Sequence, residues 1–326
     1  MVPPGQHQAP RGRYAPSPTG ELHLGNVSTA LLAWLSVRAR GGTFVMRMED
    51  LDRNRVQSGL AERILEDLAW LGLDWDEGPD LGGPHPPYDQ GSRGARYDAA
   101  FEKLRKAGRL YPCFCSRRDI AAAASAPQSP GDEVRYPGTC RGLEPQAAQD
   151  RVAAAARHAW RFRVQDGDRT TFDDLVIGRS EQAPPGDFVV KRTDGVHAYQ
   201  LAVVVDDAEM RIDEVVRGRD LLSSTARQLL LFEALGHAPP SFGHVPLLLD
   251  PEGVRLSKRQ KGITIRELRE AGFEARAIVG RLARLLELRS SHEGLSASDL
   301  VADFELARLG SAPRTVTIDI STWSRE

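Results

Sequence analysis

With 326 residues the chain can bury at least one large core, and an apolar share of 41% is ordinary for a globular protein. No uninterrupted apolar run approaches the roughly 20 residues that span a bilayer, and residues 1–10 hold Pro, Gln and Gly where a secretory signal needs an apolar stretch. A cytoplasmic protein without a membrane partner is therefore expected. The net charge of -2 excludes a general attraction to nucleic acid and leaves any RNA binding to local basic patches.

After a loose start over residues 1–10, residues 12–17 read as a strand, a Pro/Gly-rich loop follows, and residues 24–40 read as a helix with Leu24, Val27, Leu31, Leu35 and Val37 near one face. Gly41-Gly42 ends that helix, and residues 43–48 form a second strand. The resulting βαβ unit predicts an α/β fold with a parallel sheet. A helix is expected over 93–107, and residues 110 to about 149 are rich in Cys, Pro, Gly and Ala, as in an inserted segment with a loop at 121–130. Thr193-Asp194-Gly195 signals a hairpin between strands at 188–192 and 196–205, in which Tyr199 to Val205 reads as a strand covered on both faces. A helix over 220–235 closed by Gly236, a buried strand over 245–249, a basic loop from Gly253 and helical structure from 264 to 288 complete the reading.

Three groups of residues carry chemistry. Pro16-Ser17-Pro18-Thr19-Gly20-Glu21-Leu22-His23-Leu24-Gly25-Asn26 lies where a strand hands over to a helix, the place where α/β sheets bind ligands. Gly20 and Gly25 let backbone approach a nucleotide, the helix N-terminus offers N–H groups to phosphate, and His23 and Asn26 add side-chain donors; a surface loop with Asn26 as a cap is the structural alternative. Arg255-Leu256-Ser257-Lys258-Arg259 with Lys261 places a hydroxyl and ammonium groups together, as a departing polyphosphate requires, and two of the chain's five lysines fall here. An odd count of three cysteines, Cys113, Cys115 and Cys140, argues against a disulfide framework, and their clustering in the inserted segment favours a structural zinc site over three unbound thiols. On chemistry alone Asp119, Asp132 or Glu133 could supply a fourth ligand, because no histidine lies between His85 and His158.

Together the first two groups resemble the paired signatures of class I aminoacyl-tRNA synthetases, a His-x-Gly-His/Asn tetrapeptide and a Ser-Lys loop. Arg13-Tyr14-Ala15-Pro16-Ser17-Pro18-Thr19-Gly20 and Arg47-Met48-Glu49-Asp50-Leu51-Asp52 resemble the glutamyl branch. That resemblance implies a Rossmann-type parallel-sheet catalytic domain in two halves, 11–108 and 191–262, with an inserted zinc-bearing subdomain at 109–190 and a short helical C-terminal region at 263–326. It implies L-glutamate bound by Arg13, Tyr14, Ala15, Pro16, Ser17, Glu49, Tyr199 and Arg217. ATP, with Mg2+, would meet His23, Gly25, Asn26 and Lys258; of the catalytic groups, His23 and Asn26 would lie near the phosphates and Ser257 and Lys258 on the departing pyrophosphate. Arg255 stands where the family often has lysine.

The pattern Cys-x-Cys followed by Tyr-x-x-x-Cys is similar to the zinc site of glutamyl-queuosine tRNA(Asp) synthetases and implies Cys113, Cys115, Tyr136 and Cys140 as ligands. For that family the acceptor is the cyclopentene ring of queuosine at the first anticodon position of tRNA(Asp), with no anticodon-binding domain after the Ser-Lys loop and a monomer expected. Arg117-Arg118 could meet the anticodon loop or be ordinary solvated surface. The alternatives are charging of the tRNA 3′ end, another adenylyl-forming nucleotidyltransferase, or an inactive relative that only binds.

Overall fold

In the computed structural model, which describes residues 9–116, 118–120, 135–168, 170–182, 185–254, 256, 264–290, 294–311, 315–319 and 323, the chain opens with β1 (Arg11–Tyr14), α1 (Leu24–Arg38) and β2 (Thr43–Met46). Helices α2 (Leu60–Trp70) and α3 (Gly94–Lys106) follow. The segment read as an insertion holds β3 (Leu110–Cys113), α4 (Pro145–Ala153), β4 (Ala159–Phe162), β5 (Thr171–Asp174), β6 (Gly178–Glu181) and β7 (Phe188–Lys191). Next come α5 (Tyr199–Glu209), β8 (Glu214–Gly218), α6 (Leu222–Leu235), β9 (Ser241–Val245) and β10 (Leu247–Leu249). Helices α7 (Ile265–Glu270) and α8 (Ala275–Leu285) and strand β11 (Thr315–Thr317) complete the described elements.

The expected parallel sheet is present, with strand order β2-β1-β8-β9 and every pair parallel. Its strands alternate between two cores: Phe44, Met46, Val216 and Val245 join one apolar cluster, whereas Val45, Val215 and Phe242 join the other. Successive side chains of a strand point to opposite faces, so the sheet is covered on both sides. Helix α1 buries eleven of its fifteen residues, which explains why its sequence shows no sharply polar face.

The chain runs from β1 to β2 on one side and later returns to β8 on the other. That reversal makes the gap between β1 and β8 the switch point of the sheet. Pairing between β1 and β8 is at Gly12 opposite Glu214, and beyond it the two strands part.

Several predicted elements differ from those observed. Tyr199 to Val205 is the first part of helix α5, not a strand. Its Val-rich sequence favours strand locally, but the helix packs against α3 and α6 within one apolar cluster, with Leu201, Ala202, Val203, Val204 and Val205 all buried. The Asp-Gly hairpin therefore has a minimal second arm, an antiparallel bridge between Lys191 and His197 beyond the left-handed Gly195. The strand expected over 245–249 is divided at Pro246 into β9 and β10, and a 3-10 turn, Arg219–Leu221, precedes α6. Residues 110–191 carry an antiparallel sheet of order β3-β4-β7 and the separate β5-β6 pair, and β11 pairs in parallel with β10. The loop expected at 121–130 lies outside the described residues.

Candidate active site

A cavity of about 720 Å³ opens at the carboxyl ends of β1 and β8, at the switch point. Its wall includes the whole run from Arg13 to Ser17, then His23, Gly25 and Asn26 at the start of α1. Glu49, Tyr199 and Arg217 close it from three further elements. All the predicted glutamate residues and the described nucleotide residues thus share one space. Ser257 and Lys258 lie outside the described residues, but Leu256 and Thr264 on either side of that loop both line the cavity.

His23 is the N-cap of α1, and its Nδ1 accepts the backbone N–H groups of Gly25 at 3.1 Å and Asn26 at 3.3 Å. Asn26 answers by accepting the His23 backbone N–H on its Oδ1, at 3.3 Å. A Cβ at Gly25 would lie 3.1 Å from the His23 ring, tighter than ordinary contact, so a larger residue would press on this cap. With Nδ1 accepting, the ring proton sits on Nε2, and burial pushes the His23 pKa down to about 4. His23 is consequently a neutral N–H donor across the physiological range. The cap that the structural alternative gave to Asn26 is made by His23, while Asn26 is the N3 partner of the capping box and also lines the cavity.

Glu49 is held by Arg47, whose Nη2 lies 3.2 Å from Glu49 Oε1 and whose Nη1 donates to Asp207 Oδ1 at 2.7 Å. Arg13 Nε reaches the same Asp207 oxygen at 3.4 Å. Burial raises the Glu49 carboxyl above its ordinary pKa, against the opposing pull of Arg47 and Arg13. Asp206, beside Asp207, accepts from Arg93 at 2.5 Å and Gln90 at 2.8 Å and ties α5 to α3 through Tyr97. Asp206 and Asp207 escaped the sequence reading because Tyr199 to Val205 read as a strand. At helical spacing the pair falls two turns beyond Tyr199, on the same side of α5.

Arg217 is buried, with 3% of its surface exposed, and burial pushes its pKa down to about 10. It donates to His244 Nε2 at 3.1 Å, Gln228 Oε1 at 2.7 Å, Thr225 Oγ1 at 2.8 Å and the Leu221 carbonyl at 3.4 Å. Among the described residues it forms no ion pair, so its charge is left for an anionic ligand in the cavity.

In the inserted segment the three thiol sulfurs lie within 4.8 Å of one another. Cys115 Sγ is 3.5 Å from Cys140 Sγ, and the Tyr136 hydroxyl points among them, 3.4 Å from Cys113 Sγ and 3.8 Å from Cys115 Sγ. Burial pushes the Cys115 thiol up to about 11 and raises the Tyr136 phenol, whereas at Cys140 burial is outweighed by hydrogen bonds from the Phe114 backbone and its neighbours in the cluster, which lower its thiol. Three soft sulfurs and one oxygen converging on a point could hold a metal ion. Of the other predicted fourth ligands, Asp119 instead accepts the Ser116 backbone N–H at 2.7 Å, while Asp132 and Glu133 lie outside the described residues. Arg118 is exposed and Arg117 is likewise outside.

Residues 10–319 match the family model for the catalytic domain of class I tRNA synthetases (E and Q). The chain belongs to this family. A class I tRNA synthetase catalytic domain is a ligase, and the parallel sheet with a cavity at its switch point is the architecture found here. This class I synthetase chain is 51% identical to a glutamyl-Q tRNA(Asp) synthetase of Symbiobacterium thermophilum, over 93% of its own length and 94% of that protein's. It is 46% identical to the protein of the same name in Nitratidesulfovibrio vulgaris, over 95% and 96% of the two chains. A glutamate–tRNA ligase 2 of Acidithiobacillus ferrooxidans is 44% identical, but only 66% of its length is covered. Among solved structures, the glutamate–tRNA synthetase of Elizabethkingia anophelis superposes with a TM-score of 0.83 at 31% identity, covering 96% of this chain and 69% of that one. No helix among the described residues is long and apolar enough to cross a membrane.

Proposed function

We propose that the chain activates L-glutamate with ATP as glutamyl-adenylate and transfers it to the cyclopentene ring of queuosine at the first anticodon position of tRNA(Asp). The observation that carries this reading is the likeness to two glutamyl-Q tRNA(Asp) synthetases along 94% and 96% of their lengths. We place the protein in the cytoplasm as a monomer, with residues 109–190 inserted between the catalytic halves 11–108 and 191–262.

In this reading the substrate ammonium faces Glu49, which Arg47 holds in place, and a substrate carboxylate meets the charge of Arg217. The α-carboxylate oxygen attacks the α-phosphorus of ATP; a carboxyl–phosphate bond forms and the bond to pyrophosphate breaks. His23 donates its Nε2 proton as a hydrogen bond to phosphate oxygen and Asn26 lies beside it, while Ser257 and Lys258 act on the departing pyrophosphate. Mg2+ accompanies ATP and neutralises phosphate charge. Zinc held by Cys113, Cys115, Tyr136 and Cys140 would have a structural role in the inserted segment.

The test is transfer of labelled glutamate, with ATP and magnesium, to tRNA from cells that make queuosine and from cells that cannot. Label on queuosine-containing tRNA alone supports the reading. Label on both would move glutamate to the 3′ end, and label on neither with persistent ATP–pyrophosphate exchange would leave adenylation with a different acceptor.

A further inference from the structure

Asp174 ends β5 and is wholly buried, as is His244 on β9. The Oδ1 of Asp174 accepts backbone N–H groups from Val176 at 2.9 Å, Ile177 at 3.0 Å and His244 at 3.2 Å, which leaves Oδ2 facing His244 Nδ1 at 2.5 Å. On the other side of the ring, Arg217 Nε lies 3.1 Å from His244 Nε2, and Thr225 Oγ1 lies 3.1 Å from the same nitrogen. An arginine Nε can only donate. His244 Nε2 must therefore be the acceptor, and the ring proton must sit on Nδ1, where Asp174 receives it. Thr225 accepts from Arg217 Nη2 at 2.8 Å and so has its own proton to give to Nε2, which fits the same tautomer.

We propose that Asp174 and His244 are positioning residues for Arg217, fixing through one histidine tautomer the direction in which its guanidinium faces the amino-acid cavity. This deepens the reading of the cavity as the glutamate site and rests on it. The dyad holds Nε, Gln228 holds Nη1 and Thr225 holds Nη2, so the guanidinium plane is gripped on three sides and one Nη1 hydrogen is uncommitted among the described residues. Asp174 belongs to the segment between the catalytic halves, and Leu175 also donates its backbone N–H to the Phe242 carbonyl at 2.8 Å. The β5-β6 pair thereby reaches into the wall of the site without touching the substrate.

Asp174→Asn tests this by inverting the polarity of one contact. The amide oxygen would keep the three backbone N–H groups, and the amide nitrogen would then face His244 Nδ1 as a donor. The ring must move its proton to Nε2, where it confronts Arg217 Nε–H. ATP–pyrophosphate exchange with the full chain is expected to show the KM for glutamate raised at least about tenfold, with the KM for ATP changed less than about twofold. Arg217→Ala is expected to raise the glutamate KM at least as far. His244→Gln, whose amide can accept from Arg217 and donate to Asp174, should recover most of the glutamate affinity that His244→Leu loses. If Arg217→Ala raises the glutamate KM while Asp174→Asn leaves it unchanged, the positioning role is overturned and the glutamate site stands. If Arg217→Ala itself leaves the glutamate KM unchanged, the reading of the site falls, and this inference with it. Nitrogen-15 spectra of labelled histidine in the unaltered protein decide the matter even if Asp174→Asn fails to fold: an Nδ1–H tautomer for His244 is expected, and an Nε2–H tautomer would overturn the proposal.

Discussion

His23 caps a helix with one ring nitrogen and, in the proposed reading, offers the other to a ligand. Removing the side chain should therefore have two separable effects. His23→Ala loses the cap, at a cost of about 1 kcal/mol in stability, and also the pocket donor, whose loss should lower exchange roughly a hundredfold. His23→Asn keeps a capping oxygen, so it should melt near the parent temperature and still lose most of the exchange rate; equal recovery of both would contradict the donor role. The depressed pKa of the buried ring also sets a pH dependence. Between about 6.5 and about 4 the unfolded chain binds a proton at this position that the folded chain refuses, so this contribution to stability is full above pH 6.5 and is lost as pH falls toward 4. Thermal midpoints measured from pH 7 to pH 4.5 should fall less steeply in His23→Asn than in the parent. These residues were legible in the sequence because His23, Gly25 and Asn26 are close together and chemically distinctive. Asp174 and His244 were not, because they are single polar residues separated by 70 positions that only the fold brings to 2.5 Å.

Helix α5 shows why the elements were less legible than the residues. Tyr199 lines the cavity from a helix rather than from the expected strand, because a run of buried valines has no polar face from which to read a period. Once the run is a helix, its end carries Asp206 and Asp207 into a fully buried set of arginines. Arg47 and Arg93 have no exposed side-chain surface, and each depends on these carboxylates. Asp206→Ala removes the 2.5 Å partner of Arg93 and the acceptor of Gln90 and Tyr97 but leaves Arg93 its Glu209 partner at 2.7 Å, so the cost belongs at the lower end of the roughly 3–5 kcal/mol for a broken buried pair. A denaturant melt of this variant is expected to show a loss of that size. A loss under about 1 kcal/mol, the level of an exposed pair, would mean that water reaches the network. The βαβ start, by contrast, was readable because its glycines, its apolar spacing and its two strands agree with one another.

At the scale of the whole molecule, two large apolar clusters lie against the parallel sheet, and the cysteine site has a small cluster of its own. Among the described residues that third cluster buries Tyr111, Cys113, Tyr136 and Cys140, with Phe114, Cys115, Ile120 and Leu143 partly covered around them. The sheet β3-β4-β7 is anchored in the second large core through Leu110, Phe162, Phe188 and Val190, but the loops that carry the thiols have little burial of their own, and a metal ion held there would add to their stability. One zinc per chain is therefore expected by elemental analysis. Cys140→Ser should lower the metal content and expose residues 110–158 to protease. The candidate cavity takes walls from β1, α1, α5 and β8, so ATP–pyrophosphate exchange with glutamate should persist in that variant while the inserted segment is being cut. A metal-free chain with unchanged resistance to protease would show that the segment stands on its own packing, with the three thiols as ordinary buried cysteines. Loss of exchange in step with the metal would instead make the inserted sheet a support of the catalytic cavity, transmitted through β7 and the Gly195 turn to Tyr199 at the head of α5.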